Sequence, residues 1–534
     1  MMTPGPPPIF LEIDRAMRAG DMTRATALAC QALDSGHADP VLFSLRSHWH
    51  ETHGRVDAAL RDLERARAMA PPDGRTLAAA GRCLTKLGRL EEARLVLDEA
   101  VTLAPALAVA HYEKGFALDQ MGELLAAQQS YQQAMALDPH LADAPARLAA
   151  LAARRSDWSR ARDLAARALA LQPGNAVAQF ALVMVDMASG EFTAAEQRAR
   201  QVAGSSQTTD QARAHALNFL ADSLDAQNRP GEAFAAYVAA NQILLDLFAS
   251  RFESQESGLP FALRMTGELE QTGGWKRAPA TRTPMPTPVF VSGFARAGTT
   301  LLGQILDSHP RFMTLEEKPL LIEGMQEFLA PRGGMARLAA LSEEECEPYR
   351  ALYWRHVREQ GGEIDGKIVV DQTPLNTLHL ALIARLFPGA PIVFALRDPR
   401  DVVLSCFRRL FVVNPYTVEF LSLDRTARFY DATMRHALLA REKLPLRFHD
   451  LRNEDLVADF DGRIRALCDF LEVPFDPAMA RFAERSKSRG VATPSATQVA
   501  RGLSSDGIGQ WRRYEVQLGA VLPLLAPWVR HFGY

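Results

Sequence analysis

The chain has 534 residues, enough for two or three domains with separate cores, and a net charge of -3 excludes a global field that would draw in nucleic acid or an anionic membrane. Anion binding must therefore come from specific basic pockets. Five scattered cysteines (Cys30, Cys83, Cys346, Cys406, Cys468) form no C-x-x-C pair, which speaks against structural zinc and a disulfide framework. The opening MMTPGPPPIF lacks the basic region and apolar core of a secretion signal. No apolar run reads as membrane-spanning, because the best candidate, 380–396, is broken by Arg385, Pro388 and Pro391. A reducing cytoplasm without membrane or nucleic-acid partners is the expectation.

Residues 9–250 are rich in alanine, leucine and arginine at a helical period, and they repeat. Glycine falls at Gly20, Gly54, Gly88, Gly122 and Gly190, spaced by 34 residues or a multiple, with Ser156 filling the gap. Five residues after each slot comes alanine: Ala25, Ala59, Ala93, Ala127, Ala161 and Ala195. Pro71, Pro105, Pro139 and Pro173 keep the same step, and a further copy has Asn228 in the glycine slot and Ala233 after it. The spacing predicts two helices per unit: glycine ends the first, alanine lets the second pack closely, and proline stops it. This pattern resembles the tetratricopeptide repeat over about seven units. That resemblance implies an all-α solenoid that captures an extended peptide or assembles the protein, a homodimer included.

Residues 251–287 read as a connecting helix and linker, with the Pro- and Thr-rich TGGWKRAPATRTPMPTP at 272–288 marking the junction. From 288 to 534, strands alternate with helices: VFVSGF at 289–294, KIVVDQTP at 367–374, PIVFALRDP at 391–399 and LRFHDLRNEDLV at 446–457. This order predicts a parallel sheet flanked by helices, with ligands at the carboxyl ends of the strands.

The first of these strands runs into a phosphate-type loop, VFVSGFARAGTTLLGQILD. Gly293 and Gly298 have the G-x-x-x-x-G spacing, and backbone N–H groups at Gly298, Thr299 and Thr300 can surround an anion at a helix start. The lysine of a nucleoside-triphosphate loop is replaced by Thr299, while Arg296 supplies a fork suited to a multi-oxygen anion. A second element, ALRDPRDVVLSCF, places Arg397 at a strand end and Ser405 within the following helix, an arrangement suited to a second phosphate.

Together these motifs resemble sulfotransferases. FARAGTTLLGQILDSHP at 294–310 is similar to their 5'-phosphosulfate loop, and LRDPRDVVLSCF at 396–407 to their 3'-phosphate motif. The resemblance runs from about 288 to the C-terminus and is nearest to tyrosylprotein sulfotransferases and to bacterial proteins that join the repeats to such a domain. It implies a P-loop-like fold and 3'-phosphoadenosine 5'-phosphosulfate as donor, without a metal. The implied donor contacts are Arg296, Ala297, Gly298, Thr299 and Thr300 at one end and Arg397 and Ser405 at the other. Ser495 matches a further donor contact, and Arg501 begins a segment similar to the family's closing loop.

LEEKP at 315–319 resembles the segment holding the tyrosylprotein enzymes' catalytic base, which maps to Glu317. The implied reaction is sulfuryl transfer to a hydroxyl, a peptide or protein tyrosine before a glycan or small metabolite, with Arg296 assisting. Gln372 stands where the family carries a lysine, so a scaffold that binds the nucleotide without turnover is the rival reading, and a P-loop NTPase a third. Pro319 and Glu323 stand where the tyrosylprotein enzymes carry arginines that grip acidic peptides.

Overall fold

The computed structural model describes residues 7–71, 73–252, 254–273, 275, 287–361, 364, 366–484 and 502–534. Two compact units emerge from the packing, Met1–Ser189 and Gly190–Tyr534. The repeat in the sequence continues to the copy at Asn228, so the 34-residue period and the division by packing do not coincide.

The first unit consists of helices from Pro8–Arg18 to Ala176–Ala188, two to each period. Each glycine slot is a left-handed turn between paired helices: Gly54, Gly88 and Gly122 lie at φ 73°, 76° and 82°, and Ser156 takes the same conformation at 61°. Ala59, Ala93, Ala127 and Ala161 are fully buried. The reason for small residues is visible at Gly115, where a Cβ would approach the Tyr131 ring at 2.7 Å.

The second unit begins with further repeat-type helices, Phe192–Gly204, Asp210–Ala226 and Pro230–Phe248, followed by Gly258–Gln271. By length and composition Pro230–Phe252 passes as a membrane span, a property the sequence reading assigned to no segment. Within the unit, however, Ala233, Ala236 and Tyr237 join the main hydrophobic core, as do Phe261 and Met265 of the next helix.

Among the described residues, five parallel strands complete the unit: β1 Val289–Gly293, β2 Phe312–Glu316, β3 Ile368–Gln372, β4 Pro391–Leu396 and β5 Arg447–Arg452. Their spatial order is β2-β3-β1-β4-β5. After β1 the chain passes β3 to build the edge strand β2, and after β3 it crosses back to place β4 on the other side of β1. The carboxyl ends of β1 and β4 therefore flank a switch point, where open α/β sheets bind ligands. The sequence reading had four of these strands; β2 was read only as the charged LEEKP segment.

Candidate active site

The site begins where β1 ends. Gly293 pairs with Ala395 of β4, and a Cβ there would lie 2.6 Å from the Ala395 carbonyl oxygen. Glycine thus lets the two strand ends run close together before their loops diverge. Gly298, left-handed at φ 109°, turns the chain into the helix Thr299–Asp307, whose first turn receives no side-chain cap. Those backbone N–H groups and the positive end of the helix dipole face a cavity of about 620 Å³ lined by Gly298, Thr299, Thr300 and Leu301. Ala297 is placed differently: it is buried, donates its N–H to Phe294 O, and does not line the cavity.

Arg296 and Arg397 leave adjacent strand ends and line the same cavity, as does Ser405. Arg296 Nε donates to Ser405 Oγ at 3.0 Å, and Arg397 Nη1 donates to Arg296 O at 3.2 Å. The two anion sites expected from the sequence are thus parts of one continuous wall. Burial, followed by the nearby charges of Arg409 and Arg397, pulls the Arg296 pKa down to about 10. Arg397 bonds only carbonyl oxygens, of Arg296 and Gly507, and its buried Nε has no partner among the described residues. An orphaned guanidinium N–H beside an uncapped helix start fits a multi-oxygen anion.

Glu317 stands across the cavity, immediately after β2, and its N–H extends the ladder to Gln372 O at 2.8 Å. Its side chain is accessible because it faces the cavity, yet protein surrounds it on most sides, and that desolvation pushes its carboxyl pKa up. Arg296 and Glu317 are both non-glycine residues at positive φ, 67° and 50°. Such backbone costs on the order of 1–3 kcal/mol and persists at functional sites. The site therefore joins a wall of arginines and uncapped backbone N–H groups to the Glu317 carboxylate.

Comparisons with known proteins match two parts of the chain. Residues 288–477 match the sulfotransferase family, and residues 52–112 and 108–141 match tetratricopeptide repeats. The chain thus carries a sulfotransferase-family region and tetratricopeptide repeats. An uncharacterized protein of Aquifex aeolicus is 25% identical over 331 residues, covering 59% of this chain and 42% of that protein. Protein-tyrosine sulfotransferase 1 of Danio rerio is 23% identical over 261 residues, covering 46% of this chain and 72% of the relative. The human protein-tyrosine sulfotransferase 1 is 23% identical over 300 residues, 52% of this chain and 79% of the relative. Among solved structures, a tetratricopeptide repeat protein from Parabacteroides merdae matches at 14% identity and a TM-score of 0.31, covering 42% of this chain and 90% of that one.

Within the sulfotransferase-family region, Gln372 is fully buried, lies outside the cavity lining, and leaves both amide atoms without a partner among the described residues. It packs under the loop helix, where a Cβ on Gly303 would meet Gln372 Cγ at 3.3 Å. Ser495 and Arg501 lie outside the described residues. The segment that follows, Gly502–Gln510, supplies several cavity-lining residues and is anchored by Asp401, which accepts from Gly509 N at 2.7 Å and Trp511 N at 2.8 Å. The sequence reading missed Arg408, Arg409 and Asp225, all on the cavity wall. Arg409 follows Ser405 by one helical turn, a spacing that was legible. Asp225 comes from a repeat-type helix, and no local pattern announces it.

Proposed function

We propose that this chain transfers a sulfuryl group from 3'-phosphoadenosine 5'-phosphosulfate to a hydroxyl, with a peptide or protein tyrosine as the preferred acceptor. The observation that carries this reading is the joining, in one cavity, of an uncapped loop helix, the arginines of two adjacent strand ends and the carboxylate of Glu317. The backbone around Gly298 to Thr300, with Arg296, would hold the phosphosulfate end of the donor. Arg397 and Ser405 would hold its 3'-phosphate. The donor supplies an activated sulfur and a good leaving group. Glu317 takes the acceptor's O–H proton as the new O–S bond forms, and the bond from sulfur to the bridging oxygen breaks to leave adenosine 3',5'-bisphosphate. Burial raises its pKa and so makes it a stronger base than an ordinary carboxylate. Arg296, charged even at a pKa of about 10, stabilises the negative charge that develops on the leaving phosphate. Protein-tyrosine sulfotransferases among the relatives support tyrosine as acceptor. The repeats are read as the module that recruits this acceptor or assembles the protein.

One observation favours the rival reading, a scaffold that binds the nucleotide without turnover: Gln372 brings no cation to the cavity. Calorimetric titration with adenosine 3',5'-bisphosphate, against ATP plus magnesium, tests the donor pocket, and a screen of tyrosine peptides with labelled donor tests turnover. Selective binding with labelled product is expected. Preference for ATP would sink the donor assignment, and selective binding without product on any hydroxyl acceptor would favour the scaffold.

A further inference from the structure

The helix Pro399–Arg408, which carries Ser405, draws its C-terminal support from two helices of the repeat pattern. Asn241 Nδ2 donates to Phe407 O at 2.9 Å, and Asn218 Nδ2 donates to Arg408 O at 2.9 Å. These bonds satisfy carbonyls that a helix end otherwise leaves open. Arg408 lies over the rings of Tyr237 and Tyr514, 5.2 and 5.1 Å from their centres, and pairs with Asp225. Asp225 also accepts from Tyr514 OH at 2.7 Å and pairs with Arg513 at 2.8 Å.

One turn earlier on the same helix, Asp222 faces the next arginine. Arg409 Nη1 donates to Asp222 Oδ2 at 3.4 Å, and Tyr237 OH donates to the other carboxylate oxygen at 2.5 Å. Arg409 lines the cavity, whereas Asp222 does not. A free arginine side chain would spread over many rotamers and be pushed outward by Arg296 and Arg397. A carboxylate behind it, itself fixed by a tyrosine hydroxyl, holds the guanidinium inward before any ligand arrives.

We propose that Asp222, contributed by the repeat pattern, is a positioning residue for the donor: it sets Arg409 against the 3'-phosphate, one turn beyond Ser405. The proposal rests on the donor reading above. It makes the last pair of repeat-type helices part of the nucleotide site, so its test requires the full chain.

The test is calorimetric titration of the wild type, Asp222→Asn, Arg409→Gln and the double variant with adenosine 3',5'-bisphosphate and with adenosine 5'-monophosphate. Asp222→Asn should weaken the bisphosphate about fivefold and leave the monophosphate unchanged, and it should add nothing in the Arg409→Gln background. Equal loss for both nucleotides, or additive losses in the double variant, would overturn the proposal, because a merely structural role gives those results. Asp222→Glu, which keeps the charge, should restore part of the discrimination. If Asp222→Asn does not fold, Arg409→Gln alone carries the test, and unchanged discrimination there overturns the link. A wild type that does not prefer the bisphosphate over the monophosphate would instead sink the donor reading itself.

Discussion

Charge is handled in opposite ways in the repeats of the first unit and in the cavity of the second. In the repeats, Arg82 is shared by Glu51 at 2.7 Å and Glu113 at 3.2 Å, and Arg154 pairs with Asp119. Burial alone would raise the Glu51 carboxyl, yet its bonds from Arg82 and Lys86 hold it at about 2. In the cavity, Arg397 donates its hydrogen bonds among the described residues to carbonyl oxygens, and Arg296 is depressed by burial and by two neighbouring arginines. Matched charges hold helices together, while the like charges of Arg296, Arg397 and Arg409 at the cavity repel one another, a repulsion that a bound anion would relieve.

The contrast predicts that substitutions in the two regions separate activity from stability. The largest effect is expected at Glu317→Ala, which should lower turnover by about 100- to 10,000-fold while bisphosphate binding is retained. Unchanged turnover in labelled-donor assays would remove Glu317 from the mechanism. Arg82→Ala should act the other way, leaving the buried Glu113 without its cation and Glu51 with Lys86 alone, and costing about 3 kcal/mol in denaturant unfolding, with nucleotide affinity unchanged. A fully stable Arg82→Ala chain would show that the paired charges of the repeats contribute nothing structural. Arg397→Ala should cost about 1.5–3 kcal/mol in bisphosphate affinity with little change in melting temperature. If it melts early instead, the cavity arginine is as structural as those of the repeats.

Taken per pH unit, the smallest effect is a pH dependence within the sheet domain. Burial holds the His379 and His436 pKa values down at about 4 and raises the Asp371 carboxyl to about 7. The histidines stay neutral in the fold but charge on unfolding below about 6.5, so between roughly pH 4 and 6.5 each contributes a stability that is lost as pH falls. Asp371 opposes them, since its protonated native form favours folding at low pH and this advantage fades as pH rises from about 4 to about 7. Two groups against one leave a net gain of roughly 1.4 kcal/mol per pH unit across that window. Asp371→Asn should steepen the slope in unfolding curves at pH 4.5 and 6.5, and a flatter slope would contradict the assigned direction.

Much of the architecture was legible because it is periodic or local. The left-handed turns at Gly54, Gly88 and Gly122 and the buried alanines five residues later recur at a fixed step. The loop at Gly298 and the strand end at Arg397 are compact motifs that lie on adjacent strands. β2 escaped notice because FMTLE is a short edge strand, ordered by its pairing with β3. The placement of Gln372 under the loop helix and the bonds from Asn218, Asn241 and Asp222 to residues 407–409 also escaped. They depend on side chains more than 60 residues apart in sequence, and no spacing rule reports such meetings.

The left-handed turns bear on how such a chain can change length over generations. At Gly54 and Gly88 nothing lies within 4 Å of where a side chain would begin, so these joints make no demand on their neighbours. Whole 34-residue units can be duplicated or deleted there, with each new helix pair meeting an interface like the one it replaces. The pair bearing Asn218, Asp222, Asp225 and Asn241 has no such freedom, because its side chains fit one particular helix end. Growth by tandem duplication is open among the early units and closed at the last.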